Sequence, residues 1–249
     1  MDNTLYVGLS RQLTLQRALD VTANNLANVD TTGFKVESLM QATDALTPSA
    51  APSSDPIKYV IDNGLARNFG QGGVERSNNP LDVAIEGEGF FTVQTADGNR
   101  YTRDGRFGLS PQNQLVDHQG NPVLSQAGAP ISVDPQKGEL AIAKDGTVSQ
   151  SDSITGTISV LGKIGVSRFA DQSVLKKQGS NLYDAGAVTP TPTANAKVLQ
   201  GFTERSNVQP VLEITNLIAI QRAYEAVSQL VSSTQDLSDN AVQRLGKAG

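Results

Sequence analysis

The search for residues that could do chemistry starts at the only histidine of the 249-residue chain, His118, in the turn context LVDHQGNP. One histidine with no cysteine cannot make a zinc site without carboxylates, and no His-x-x-x-His spacing exists. Ser-His-Asp and Cys-His arrangements fall away too unless His118 is itself the base, and no Gly-x-Ser-x-Gly accompanies it. His118 therefore reads as a surface loop residue. Glu86 and Glu88 share one strand face in EGEGFF (86–91), a spacing open to a glycosidase pair. A glycosidase normally brings aromatic platforms, however, and tryptophan is absent. Gly87 and Gly89 form Gly-x-Gly, but strand residues follow instead of a helix amino terminus, so a phosphate cradle has no physical basis. These glycines suit two strands that approach closely or bend sharply. The turns at Asp97, Asp104 and Asp145 lack the carboxylate spacing of a calcium loop.

The run RYTRDGRFGLS (100–110) carries Arg100, Arg103 and Arg106 among aromatics, as a nucleic-acid stacking surface would. A net charge of −5 opposes that reading. It favours a hairpin with arginines on its solvated face and Tyr101 and Phe107 toward the core. No catalytic residue, cofactor, metal, nucleic acid or small-molecule substrate is expected.

The elements that would carry such residues point to assembly instead. The composition is 38% hydrophobic, that of a globular chain with enough material for a real core. The absence of cysteine suits a protein that unfolds for export. The amino terminus has no basic region followed by an apolar run, so no cleavable signal is expected. No apolar stretch approaches membrane-spanning length.

From Leu5 to about Asn28 the pattern is helical, and Leu15, Leu19, Thr22, Leu26 and Val29 alternate spacings of four and three, a narrow heptad-type seam. QATDALTPSAAPSSDP (41–56) reads as a linker or extended arm. Strand alternation and Asp-Gly turns mark an all-β middle. From about Pro210 to Leu245, Leu217, Ile220, Tyr224, Val227, Val231, Thr234, Ser238, Ala241 and Leu245 again alternate three and four. A seam this long and narrow reads as a coiled-coil strand rather than a globular-core helix. Each terminal helix is expected to be marginal until paired.

Three segments together carry a resemblance. TANNLANVDTTGFK, the central NPLDVAIEGEGFFTVQTADGNRYTRDGRFGLSPQNQLVDHQGNPVL (79–124) and SNVQPVLEITNLIAIQRAYEAVSQLV (206–231) resemble, in the same order, segments of the flagellar axial proteins, the rod and hook components. Length and the opening MDNTLYVGLSRQ are most similar to the proximal-rod type, with the distal-rod type as the alternative; the β region is short for a hook protein. A secreted β binding module on a coiled-coil stalk is the remaining rival.

The resemblance implies an α+β fold in which amino- and carboxy-terminal helices pair as a coiled coil lining a tube. The expected divisions are a helix and turn over 1–36, an arm over 37–78, a β domain over 79–200 and a second helix over 201–249. It implies a basal-body rod subunit in the periplasm, exported by the flagellar type III apparatus without a cleaved signal. Its partners would be other copies, other rod proteins and the export apparatus. Leu15, Leu19, Leu26, Leu217, Ile220, Tyr224, Val227 and Val231 are the expected subunit-interface residues, packing the terminal helices of one copy between those of its neighbours. Asn24, Asn25 and Asn28 are poor helix formers crowded into one short stretch, and are expected to bond helices of adjacent subunits and fix register. Gly33, Gly87 and Gly89 are the expected turn glycines.

Overall fold

The apolar spacings at the two ends and the strand alternation between them dictate helices outside and a β-rich region inside. The computed structural model has that order and describes residues 2–46, 57–152, 155–193 and 196–246. The chain forms two units, one of residues 1–27, 37–68 and 209–249, the other of residues 28–36 and 69–208.

In the first unit, helix α1 (Asp2–Ala27) and helix α2 (Pro210–Gly246) run antiparallel. Helix α2 opens with Pro210 in its first turn, where the missing N–H costs nothing, and Glu213 N donates to Gln209 O at 3.0 Å. At 37 residues it extends for about 55 Å. Strands β1 (Glu37–Leu46) and β2 (Ile57–Arg67) pair antiparallel from Glu37↔Arg67 to Leu46↔Ile57, with an irregularity between Leu39 and Gln41. Much of the expected arm is therefore a two-stranded ribbon; its residues 47–56 lie outside the described residues.

In the second unit the largest sheet has six strands, all antiparallel. Their order is Lys176–Lys177, Leu182–Asp184, Gly98–Thr102, Phe90–Thr95, Val166–Arg168 and Thr191–Pro192. Side chains alternate faces along a strand, and Phe90 and Phe91 are both fully buried, so this sheet is covered on both sides. Phe91 and Val93 face a core with Val83, Ile85, Leu115, Ile131 and Val198. Phe90 faces a second core, where Phe69, Tyr101, Phe169 and Tyr183 meet edge to face, the arrangement ring quadrupoles favour. Val74–Arg76 pairs with Phe202–Glu204, and Val83–Glu86 with Lys197–Gln200. The β unit thus reaches from Phe69 to Val208 and takes in residues 28–36 as well.

Candidate assembly site

The polar residues that invited a catalytic reading are each paired. His118 Nδ1 lies 3.7 Å from Asp104 Oδ2, while Arg106 holds Asp104 through Nε at 2.9 Å and Nη2 at 2.6 Å. Glu88 pairs with Arg168 at 2.6 Å and Glu86 with Lys197 at 4.0 Å, all four side chains largely in solvent. Among the described residues no group of histidines and carboxylates is placed to hold a metal.

Tyr101 and Phe107 face the core as expected. The expected solvated arginine face is corrected: Arg100 and Arg103 are buried and only Arg106 is exposed. The cause is partner supply, since Arg100 donates to Gln178 at 2.9 Å and Arg103 to Glu204 at 3.1 Å, and a buried guanidinium persists only when paired.

In the helical unit, α1 turns Gly8, Thr14, Leu15, Ala18, Thr22 and Asn25 inward. A Cβ on Gly8 would stand 2.7 Å from Val231 Cγ2, so the helices approach at a distance that only glycine permits. Gln12 Nε2 donates to Tyr224 Oη at 3.0 Å. Leu15 is buried; Leu19, Leu26, Leu217, Ile220, Tyr224, Val227 and Val231 are half-buried. Among the α2 residues whose side chains are described, only Glu213 is fully buried, so the α2 seam is covered in part.

The three asparagines part company. Asn24 is exposed and Asn28 half-buried, with Thr31 Oγ1 at 3.1 Å from Asn28 Oδ1. Asn25, 1% exposed, acts as a one-residue strand. Its Nδ2 donates to Glu37 O at 2.7 Å, and its Oδ1 accepts from Glu37 N at 3.0 Å. The same Nδ2 lies 3.2 Å from Glu213 Oε2, and Glu37 Oε1 accepts from Arg67 Nε at 2.7 Å. Asn25 therefore ties α1, β1 and α2 of one chain together, and its amide is committed inside the protomer.

The expected turn glycines all have positive φ: Gly33 (70°), Gly87 (97°) and Gly89 (142°). At Gly33 a Cβ would also lie 2.6 Å from the Arg103 and Asp104 backbone, and at Gly89 2.6 Å from Val166 Cγ1.

Sequence reasoning missed the cluster beside Gly33. Lys35, Arg103 and Glu204 are all within 2% of complete burial. Glu204 accepts from Lys35 Nζ at 2.5 Å, Arg103 Nη1 at 3.1 Å and Gly72 N at 3.0 Å. Lys35 Nζ also donates to Gly70 O at 2.8 Å, and Gly33 N to Glu204 O at 2.8 Å. The Arg103 guanidinium lies 5.2 Å from the Phe90 ring centroid, a cation–π distance. Burial holds the Lys35 ammonium below its ordinary pKa of 10.5; Glu204 opposes that shift and Arg103 adds to it. The only local hint is a charged residue set between Phe34 and Val36.

Large apolar side chains remain exposed on both helices. Tyr6, Leu9 and Leu13 on α1, and Val211, Leu212, Ile214, Ile218, Leu230 and Leu237 on α2, are 45% to 79% exposed. Exposed apolar ridges of this kind suit an interaction surface. No helix of the described residues is long and apolar enough to cross a membrane.

Comparison with known proteins accords with this arrangement. Residues 5–35 match the model of the flagella basal body rod protein family, 84–150 that of the flagellar hook protein FlgE/F/G D1 domain, and 199–244 that of the flagellar basal body rod FlgEFG protein C-terminal region. The chain is 51% identical to the flagellar basal-body rod protein FlgF of Caulobacter vibrioides over 99% of both chains. It is 36% identical to FlgF of Mesorhizobium japonicum, again over 99% of both. It is 35% identical to the flagellar basal-body rod protein FlgG of Buchnera aphidicola over 92% of this chain and 93% of the relative.

Proposed function

The chain belongs to the flagellar basal-body rod protein family, and from that premise we propose that it builds the proximal part of the rod as a helically polymerising subunit. The observation that carries this reading is the end-to-end match to FlgF chains, which takes in both helices as well as the β unit. The FlgG chain of Buchnera aphidicola matches less closely, and over less of the length, than the FlgF chain of Caulobacter vibrioides, which favours the proximal over the distal type.

In this reading α1 and α2 act as a coiled-coil pair whose outer faces pack against neighbouring subunits. Head-to-tail contacts that do not close generate a filament, and the half-buried α2 seam with its exposed apolar flanks suits a helix completed by neighbours. Of the residues expected at the interface between subunits, Leu15 is already buried within the chain, while Leu19, Leu26, Leu217, Ile220, Tyr224, Val227 and Val231 are half-buried and keep surface for a neighbouring helix; the β unit supplies lateral contacts. Close packing stiffens such a shaft against torque. Helices that order fully only on joining the growing tip keep the dilute chain from polymerising early. The route out is the flagellar export apparatus, without a cleaved signal.

The test is complementation in cells that lack the chain. The full chain should restore swimming and appear in purified basal bodies, while a chain lacking residues 1–27 should do neither. Restored swimming with the shortened chain would refute the role assigned to the helices.

A further inference from the structure

The chain crosses between its two units four times, after residues 27, 36, 68 and 208. Within the β unit, three of these crossings meet at one side chain. Asn207 Oδ1 accepts from Val36 N at 2.8 Å, and Asn207 Nδ2 donates to Gly70 O at 3.0 Å. Asn207 N donates to Phe34 O at 3.4 Å as well. Val36 is the last residue before one crossing, Gly70 the second after another, and Asn207 the second-last before a third. A planar amide suits this place because it offers an acceptor to one neighbour and a donor to the other.

A buried layer binds the same three stretches again. Glu204 accepts from Lys35 Nζ at 2.5 Å and from Gly72 N at 3.0 Å, and Lys35 Nζ donates to Gly70 O at 2.8 Å. Arg103, directly after the strand Gly98–Thr102, fixes Glu204 to the largest sheet. The fourth crossing joins through Gly33 N, which donates to Glu204 O at 2.8 Å. The two layers differ in kind. The Glu204 layer is charged and closed to water, so it holds the β unit itself together. Asn207 is half-buried, so its partners can turn to water when its side chain is removed, and Gly70 O keeps Lys35 as a donor.

We propose that Asn207 is a positioning residue that locks three crossings into one stiff exit from the β unit, so that torsional load entering the sheet is shared among them. A single backbone passage turns about two soft dihedrals per residue; three that are bonded side by side cannot turn independently. The proposal rests on the reading of the chain as a rod subunit, and it names the place in the β unit where the chain takes up torque.

The test compares the full-length wild-type chain with Asn207→Ala and Asn207→Asp. Amide exchange is followed residue by residue by nuclear magnetic resonance in the purified chains. Rotation is followed in cells that produce each variant in place of the native chain. Removing one hydrogen bond should speed exchange at Val36 N about fivefold in Asn207→Ala, with exchange across Phe90–Thr95 unchanged. Asn207→Asp keeps an oxygen facing Val36 N and should leave that amide protected. Asn207→Ala should reach basal bodies in wild-type amounts and swim in thin medium. In medium thickened until the motors run at high load, those cells should shed filaments or stop turning, and Asn207→Asp, which loses only the Gly70 link, should fall between them and wild type.

Unchanged exchange at Val36 N in Asn207→Ala, or faster exchange across Phe90–Thr95 as well, overturns the lock. Faster exchange at Val36 N with wild-type rotation at high load overturns the torque role. A folded Asn207→Ala chain that is missing from basal bodies overturns it too, placing Asn207 in assembly while the rod reading stands. Absence of the wild-type chain from basal bodies would instead overturn the rod reading itself.

Discussion

Replacing Glu204 by Gln keeps the shape of the side chain and removes its charge, leaving the Lys35 and Arg103 cations buried without a counterion. Glu204 is 1% exposed and lies 2.5 Å and 3.1 Å from the two cations. Stripping one partner from a buried ion cluster costs about 3–5 kcal/mol, because a buried charge is left uncompensated. Against a typical domain stability of about 5–15 kcal/mol, Glu204→Gln should remove about a fifth or more of the total. At a urea dependence of about 2 kcal/mol per molar the unfolding midpoint should fall by about 2 M. Lys35→Met is the informative contrast. It leaves Glu204 balanced by Arg103 and bonded to Gly72 N, and Gly70 O keeps the donor Asn207 Nδ2 at 3.0 Å. Its cost should stay near that of one hydrogen bond, about 1 kcal/mol. The assay is urea unfolding of the purified chain followed by near-ultraviolet circular dichroism. With no tryptophan, the buried Tyr101 and Tyr183 of the β unit supply the tertiary signal. Equal losses in the two variants, or a Glu204→Gln midpoint within half a molar of wild type, would refute the charge accounting.

Two further expectations concern the same buried groups. Because burial lowers the Lys35 pKa in the folded chain, the unfolded chain binds more protons between the lowered value and 10.5. The stability difference between wild type and Lys35→Met should therefore shift in favour of wild type as pH rises toward 10.5 and level off above it. Paired urea titrations from pH 7.5 upward check the sign, and a difference that shrinks with pH would reverse it. Asn25→Asp is isosteric but sets a carboxylate oxygen where Nδ2 lies 2.7 Å from Glu37 O and 3.2 Å from Glu213 Oε2. Recovery of this variant in basal bodies and swimming on soft agar should drop well below those of Asn24→Ala at the exposed neighbouring position. Equal performance of the two would show that the Asn25 clasp is dispensable.

What could be read from the chain itself was local. The helices follow from spacings of three and four within a few turns of backbone, and the hairpin at Asp97–Gly98 from turn chemistry between alternating strands. The close approach at Gly89 followed from its placement between strand residues. Membership of the rod family was carried by three ordered segments, because contiguous residues preserve such a signature whatever they touch.

Tertiary structure alone decided the uses of the charged and amide groups. Lys35 and Glu204 are 169 residues apart, and nothing near either residue signals the other. A solvated Arg103 and a buried one have the same sequence neighbours; the difference is a carboxylate delivered from the far end of the chain. Asn24 and Asn25 are adjacent and identical in type, yet about 100° of helix rotation turns one to solvent and the other onto the backbone of Glu37. Periodicity determines which residues share a face, since that is a property of one element's geometry. What the face meets depends on which other element arrives there, and hydrogen-bond complementarity at that meeting is a property of two segments at once.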